Sequence, residues 1–202
     1  QVIAKENLDD NKGLHKFFNS FSLEDYELEK TTSQNQSTKE WETLVSEEEN
    51  FSISMLGKTV GRRDNSDGEA PKNSDPIYYI SENSDEDGNQ LIQYITISTF
   101  PEGFIADSLS TENLIDFYDN NLSEPLKNGK GKIISKKEIK IQNRIAQRSE
   151  YVLYNEGFNL HIHSIRFLHM NKFYFIQHAT VGKKATEDEI NKFLNSFKIL
   201  KE

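Results

Sequence analysis

Apolar residues recur at every second position along much of this chain, which is the pattern of β-strands that bury one face. The first such stretch begins with Phe51, Ile53 and Met55 and ends before Gly57. Short turns separate the later stretches, so neighbouring strands are expected to run antiparallel. The predicted strands cover residues 51–56, 77–80, 91–100, 133–141, 144–154, 158–168 and 172–180.

One segment in the middle of the chain changes to the period of an amphipathic helix. Leu114, Phe117, Tyr118 and Leu122 share one helical face, and Pro125 follows as a stop signal. These residues predict a helix that crosses between two strands.

The C-terminal helix has the clearest local signals. Residues 186–189 form a Thr-Glu-Asp-Glu capping box, and Ile190, Phe193, Leu194 and Phe197 follow at helical spacing. We expect this apolar stripe to cover the sheet.

A short echo links the two ends of the chain. The hexapeptide 16–21 shares five of its six residues with 192–197, and both belong to amphipathic helical stripes. Either a remnant internal repeat or two helices packing on one sheet explains this echo. A polar stretch over 24–49 predicts mainly a linker. We therefore expect an N-terminal helix and polar linker over residues 1–40, and one domain over residues 41–202.

Composition narrows the class of protein. The chain has 202 residues, of which 35% are hydrophobic, and no cysteine, which excludes disulfides, thiolate metal sites and thiol catalysis. No apolar run reaches the length of a transmembrane segment. The net charge of -9 argues against nucleic-acid binding, as does the lack of aromatic residues in the basic stretch 127–148. The oligomeric state stays open.

Charge is arranged in blocks along the sequence. Residues 81–125 hold ten acidic residues and no lysine or arginine, whereas 127–148 holds eight basic residues and only Glu138 as an acid. A basic strand and turn of this kind predicts contact with an acidic protein partner or an anionic membrane surface. The alternative is a solvated outer face that the acidic hairpin balances. The predicted partner-binding residues are Lys127, Lys130, Lys132, Lys136, Lys137, Lys140 and Arg144.

Three histidines form a second candidate site. His161 and His163 are two residues apart on a predicted strand, so both imidazoles should leave the same face. This spacing suits two ligands of zinc or another transition metal, with His178 on the next strand as a third. The alternative is that these histidines fill a half-buried sheet face beside Ile165 and Phe167.

Catalytic motifs are missing from the sequence. It contains no nucleophile elbow, phosphate-binding loop, dinucleotide fingerprint or zinc-protease motif, so we predict no catalytic residue, no cofactor and no enzyme activity. Residues 85–89 begin like a calcium loop, but Gln90 and Thr96 stand where that loop needs glycine and glutamate. We interpret this stretch as a solvated hairpin tip.

A series of short motifs gives the sequence a family resemblance. The motifs are Phe-Ser-Ile-Ser-Met at 51–55, Tyr-Ile-Thr-Ile at 94–97, Arg-Phe-Leu at 166–168, Phe-Tyr-Phe at 173–175 and Phe-Leu-Asn-Ser-Phe-Lys at 193–198. Over about residues 41–200 the chain resembles the PsbP-like proteins, including their small secreted bacterial relatives. The resemblance implies an α+β fold, with an antiparallel β-sheet flanked by helices in an α/β/α sandwich. It also implies a binding or accessory module on exported or membrane-associated machinery.

The start of the sequence bears on its compartment. The chain begins at Gln1 without an initiator methionine or a signal-like apolar segment, which predicts a product processed during export. With the resemblance, this predicts an extracytoplasmic protein that is secreted, periplasmic or lipid-anchored. We therefore expect a non-enzymatic binding module that contacts an envelope protein or an anionic surface. The alternative is a small-ligand or metal-binding protein that uses the sheet face near His161 and His163.

Overall fold

The computed structural model describes residues 40–63, 76–85, 87–100, 109–123, 126–127, 131–155 and 158–201. The helical stripe at 14–21 lies outside the described residues. The helices in this part of the chain are α1 (Thr111–Ser123) and α2 (Glu187–Leu194). The strands are β1 (Trp41–Ser46), β2 (Phe51–Leu56), β3 (Val60–Arg63), β4 (Ile77–Ser84), β5 (Gln90–Thr99), β6 (Gly131–Ile141), β7 (Arg144–Asn155), β8 (Phe158–His169), β9 (Lys172–Val181) and β10 (Lys198–Ile199).

The strands form two antiparallel sheets. The large sheet has seven strands in the order β3-β4-β5-β9-β8-β7-β6, and the small one has the order β1-β2-β10. Tight turns join β6 to β7 and β8 to β9, so β6 to β9 fold back on one another as a meander until β9 pairs with β5. Helix α1 lies between β5 and β6 in sequence. The meander therefore leaves β6 at the edge of the large sheet.

Helix α1 packs on one face of the large sheet, which we call the α1 face. The ring of Phe117 meets Phe173 edge-on, with centroids 5.2 Å apart. The Tyr118 hydroxyl accepts a hydrogen bond from the Leu168 N–H at 2.9 Å and donates one to the Ile145 carbonyl at 3.1 Å. These contacts fix the helix across β7, β8 and β9.

The other face of the large sheet, which we call the α2 face, is covered by α2 and the small sheet together. Phe197, just after α2, lies 5.3 Å from Phe167 and 5.6 Å from Tyr174 between ring centroids. Phe51 of β2 stacks on the same Phe197 ring at 5.6 Å. The main aromatic core therefore lies between the two sheets.

This arrangement confirms the predicted antiparallel sheet with packed helices, and it corrects the expected α/β/α sandwich. Sheets dominate the fold, because α2 shares its side of the large sheet with three strands. Phe51, Ile53 and Met55 of β2 are fully or almost fully buried against the core. A second sheet thus supplies part of the cover that was expected from a helix alone.

The sequence patterns do not predict three of the short strands. β1 lies inside the stretch 24–49 that polar composition predicts as mainly linker, while β3 and β10 have four and two residues. β1, β3 and β10 are all edge strands, and no residue of β1 is buried. An edge strand needs few apolar residues, so alternation is weak there.

The turn between β6 and β7 fixes the register of the edge strand. Gln142 and Asn143 have φ of 44° and 68°, and two such residues give a turn that matches the twist of a hairpin. The Gln142 side chain accepts from the Ile199 N–H at 2.6 Å and donates to the Ile199 carbonyl at 3.1 Å. These two bonds tie the β6–β7 hairpin to β10.

Candidate functional site

A row of polar side chains crosses four adjacent strands on the α2 face. His163 on β8 lies directly opposite His178 on β9, and Gln93 on β5 and Glu150 on β7 extend the row on either side. All four residues share one face because cross-strand partners project to the same side of a sheet. The structure therefore brings two of the three predicted histidines side by side.

His178 is the buried histidine of this row. Its exposed fraction is 1%, and its ring lies 5.8 Å from Phe193 of α2. Neither ring nitrogen has a hydrogen-bond partner in the part of the chain that the structure describes. Burial lowers the pKa of His178 to about 4, the nearby His163 acts in the same direction, and Glu189 opposes both. The imidazole is therefore neutral at pH 7.

His163 and His161 are only half-buried. Burial lowers the pKa of His163, against the opposing charges of Glu150 and Glu187. His161 shares this face but lies two residues further along β8, about 7 Å away. Among the described residues, no group of three or more histidine, aspartate or glutamate side chains is arranged to hold a metal ion. The metal site thus stays a prediction.

The predicted basic residues gather on the edge strand β6 and its flanks. Lys127 is exposed in the turn after α1, and Lys130 lies outside the described residues. Arg144 is half-buried at the start of β7, where its Nε donates to His169 Nδ1 at 2.8 Å and its Nη1 donates to the Gln142 carbonyl. Arg144 therefore holds the turn, which leaves the lysines of β6 as the exposed part of the set.

The four lysines of β6 divide between the two faces of the sheet. Lys132 and Lys137 lie on the α2 face, whereas Lys136 and Lys140 lie on the α1 face, and a bulge between Ile133 and Ser135 resets the alternation. We call Lys132, Lys136, Lys137 and Lys140 the basic edge. The set therefore lines an edge rather than a single flat face.

One member of the basic edge is held by α1. Lys136 Nζ lies 2.6 Å from Asp119 Oδ2, and the other oxygen of Asp119 accepts from Gln147 Nε2 at 2.6 Å. Within the described part of the chain, Lys132, Lys137 and Lys140 have no carboxylate partner. Among the described residues, Asp119 thus neutralises only one of the four lysines of the basic edge.

The lysines also have a purely structural explanation. An edge strand presents unpaired N–H and C=O groups that invite another strand, and lysine is a common way to prevent such pairing. β6 has eleven residues and is mostly exposed, so it needs this protection. Protection against pairing and binding of an anionic partner use the same side chains, and experiment has to separate them.

A buried arginine on the α1 face went unnoticed in the sequence patterns. Arg166 is fully buried; its Nη1 donates to Ser149 Oγ at 2.6 Å, and its guanidinium lies 4.2 Å from the centre of the Phe175 ring. Its Nε has no hydrogen-bond partner among the described residues. Burial lowers the pKa of Arg166, and Tyr151 and Asp119 oppose that shift. The guanidinium is thus surrounded mainly by neutral groups.

The sequence held only a weak signal for this cluster. Arginine is rarely buried, so an arginine within an apolar run is not normally expected to lie in the core. The available signal is the recurrence of polar residues at matched positions of three strands, Ser149, Ser164 and Gln177, which pair across the α1 face. Register is needed to see that they meet.

The carboxylate of Asp85 makes local hydrogen bonds at the acidic hairpin tip. Asp85 Oδ1 accepts hydrogen bonds from the backbone N–H groups of Asp87 and Asn89. The Asn89 side chain donates to both oxygens of the same carboxylate. These bonds close the turn between β4 and β5.

Comparisons with known proteins give the fold a name. The solution structure of the cyanobacterial PsbP (CyanoP) from Synechocystis sp. PCC 6803 superposes with a TM-score of 0.50 at 12% identity, covering 82% of this chain and 95% of that one. The chain has a PsbP-like fold. This confirms the resemblance at the level of fold. No protein-family model and no curated protein matches the sequence.

Two further solved structures superpose less well on the chain. A protein of unknown function from Pseudomonas aeruginosa gives a TM-score of 0.41 at 11% identity, covering 69% of this chain and 82% of that one. A chain from Bacteroides thetaiotaomicron gives a TM-score of 0.33 at 18% identity, covering 62% of this chain and 46% of that one.

In the part of the chain that the structure describes, neither helix has the length and apolarity needed to cross a bilayer.

Proposed function

We propose that this chain is a non-enzymatic, exported binding module whose basic edge contacts an acidic protein partner or an anionic envelope surface. The observation that carries this proposal is the exposed edge strand β6, on which Lys132, Lys137 and Lys140 have no carboxylate partner among the described residues. The resemblance to the PsbP-like proteins, which implies an accessory role, supports the proposal. In this proposal α2 and the small sheet together take the place of the second helical layer of an α/β/α sandwich.

Local charge has to overcome the charge of the whole chain. The net charge is -9, so an anionic partner is repelled at long range and attracted only near β6. Lys132 and Lys140 are roughly 25 Å apart along the strand, and exposed charges act over only about 8 to 10 Å at physiological salt. Binding should therefore be close-range and strongly weakened by salt.

The test is a charge-reversal variant that spares the contact with α1. We would combine Lys132→Glu, Lys137→Glu and Lys140→Glu and keep Lys136, because its reversal would place a negative charge beside Asp119. The expected result is loss of binding to soluble poly-glutamate, and loss of the partner that the wild type retains in a cross-linked pull-down from the envelope fraction.

A matched control carries the same charge change elsewhere. Lys58, Lys184 and Lys201 are exposed and lie outside the β6 strand. Their reversal to glutamate should leave binding at the wild-type level. Equal binding by the β6 variant and the wild type would show that these lysines are not the binding site.

The alternative function, a metal or small-ligand site, rests on the adjacency of His163 and His178. Both have lowered pKa values, so both are neutral at pH 7, which is the form that coordinates metals. The test is the rise in Tm that zinc produces in the wild type, His161→Ala, His163→Ala and His178→Ala. A rise that persists unchanged in all three variants would exclude these ligands.

A further inference from the structure

Exposed apolar side chains gather at one corner of the large sheet. Among the described residues eight large hydrophobic side chains are exposed, and four of them lie where β6 begins and β7 meets β8. Large exposed apolar patches mark interaction sites on soluble domains. We call these four residues the apolar corner. They are Ile133, Ile134, Tyr154 and Phe158, with exposed fractions of 40%, 50%, 47% and 38%.

Strand register places the four residues close together. Ile133 pairs with Tyr151, three residues before Tyr154, so these two side chains are separated by one strand and about 10 Å along it. Phe158 pairs with the residue that follows Tyr154. Ile134 falls in the bulge of β6, and a bulge re-aims the side chain of its extra residue.

The apolar corner lies next to the basic edge. Lys132 immediately precedes Ile133, and Lys136 and Lys137 follow within three residues of Ile134. Isoleucine and phenylalanine bury readily in hydrocarbon, tyrosine favours the headgroup layer, and lysine stems pack on apolar surface with the ammonium in water. Apolar side chains with lysines beside them are the composition of a peripheral membrane contact.

The positions of these side chains favour a bilayer over a folded protein partner. Ile133 and Phe158 project from the α1 face, whereas Tyr154 projects from the α2 face, because each follows its strand's alternation. A rigid partner docked on one face would not contact the side chain on the other face, whereas a fluid bilayer interface can surround the side chains of both faces.

Acidic residues set the tilt of this contact. Asp85 and Asp87 stand at the β4–β5 turn, at the same end of the sheet but across strands β9, β8 and β7 from β6. At about 4.8 Å per strand they lie on the order of 20 Å from the corner. An anionic surface would repel the side of the sheet that carries these aspartates and attract the side that carries β6.

We infer that the apolar corner and the basic edge together form a docking site for an anionic lipid bilayer, with Ile134, Tyr154 and Phe158 entering the interface. This inference rests on the proposed function, because the basic edge supplies the charge. It goes further by naming a lipid surface as the partner and by adding an apolar component.

The experiment compares three probes by sedimentation or gel filtration. The probes are vesicles of phosphatidylglycerol mixed with phosphatidylcholine, vesicles of phosphatidylcholine alone, and soluble poly-glutamate. The wild type is expected to bind the anionic vesicles and not the neutral ones. Replacing Lys132, Lys137 or Lys140 by glutamine should in each case weaken binding about fivefold.

The corner variant combines Ile134→Ser, Tyr154→Ser and Phe158→Ser. Because insertion would remove about half of each side chain from water, this variant should bind anionic vesicles more than about tenfold more weakly. The matched control, Val45→Ser with Met170→Ser, removes exposed apolar side chains elsewhere and should bind like the wild type.

A second measurement does not depend on loss of binding. The tryptophan fluorescence of the Tyr154→Trp variant should be quenched by brominated lipid in anionic vesicles, whereas that of the Met170→Trp variant should not. The fluorescence of the single native Trp41, measured in the wild type, is the background for both variants.

The outcomes separate this inference from the proposed function. Vesicle binding that is weak in the corner variant and normal in the control supports both. Equal vesicle binding by the corner variant overturns the inference and leaves the proposed function standing, with an anionic surface bound through the lysines alone. Binding to poly-glutamate but not to vesicles also overturns the inference and leaves the proposed function standing with an acidic protein as partner. Binding to neither probe overturns both.

Discussion

Replacing His178 should change how the stability of the protein depends on pH. This imidazole is buried between the large sheet and α2, and neither ring nitrogen has a hydrogen-bond partner among the described residues. Leucine has a similar volume and no polar atoms. His178→Leu therefore removes both the unsatisfied nitrogens and the titration.

The sign of the effect follows from the direction of the pKa shift. Burial lowers the pKa of His178 from its ordinary value of 6.5 to about 4 in the folded protein. Between these values the unfolded chain takes up a proton that the folded state does not. The free energy of unfolding is thus fully retained above pH 6.5 and falls as the pH drops toward 4.

The magnitude follows from the same shift. A difference of about two and a half pH units corresponds to roughly 3 kcal/mol of unfolding free energy, at about 1.4 kcal/mol per unit. At pH 7.5 the leucine variant should be more stable than the wild type by about 1 kcal/mol, because no polar nitrogen is left buried.

The assay is urea unfolding of the wild type, His178→Leu and His178→Gln over a series of pH values near 4 to 7.5. Subtracting the leucine curve isolates His178 from other groups such as His163. The glutamine variant should lose the same pH dependence but gain no stability, since it keeps a buried polar group. Parallel curves for wild type and leucine variant would refute the account of a neutral, buried His178.

Three local predictions can be checked by the same unfolding assay. Gly182→Ala should lose about 1 kcal/mol or more of unfolding free energy, because φ is 83° and an added methyl group would meet Asn89 Oδ1. A urea midpoint equal to that of the wild type would contradict this. Tyr118→Phe should lose about 1 to 3 kcal/mol, because its hydroxyl serves one strand N–H and one strand carbonyl; a neutral change would mean that water replaces it. Thr186→Ala should lose about 1 kcal/mol, because Thr186 and Glu189 form a capping box, and Thr186→Ser should restore most of it.

The parts of the fold that the sequence predicts are those with local causes. The capping box at Thr186 and Glu189 forms as expected, with the threonine oxygen accepting at 3.2 Å and the carboxylate accepting at 2.9 Å. The meander of β6 to β9 follows from short turns such as the one at Gln142 and Asn143. The residues responsible lie within a few positions of one another, so a short sequence pattern is enough to predict these features.

The candidate site depends on pairings that no local pattern contains. The spacing of His161 and His163 gives their shared face, but the contact of His163 with His178 depends on the register of β8 and β9. The burial of Arg166 depends on the two neighbouring strands, β7 and β9, which supply Ser149 and Phe175. Likewise β6 became an edge strand only because β9 pairs with β5, which the order of the segments leaves open.

Long-range order also changes the meaning of the basic stretch. Sequence alone suggests one basic face, whereas the bulge between Ile133 and Ser135 splits the lysines over both faces of an edge. It also places Ile134 at the surface beside Lys132. A charge pattern therefore predicts the sign of a surface but not its shape.

The most direct test of the central claim is the salt dependence of binding to anionic vesicles and to poly-glutamate. We predict that the wild type and the Lys58, Lys184 and Lys201 reversal control lose affinity steeply as sodium chloride rises. The variant that reverses Lys132, Lys137 and Lys140 should bind weakly at every salt concentration. If that variant binds as tightly as the wild type, with the same salt slope, the basic edge is not the binding site.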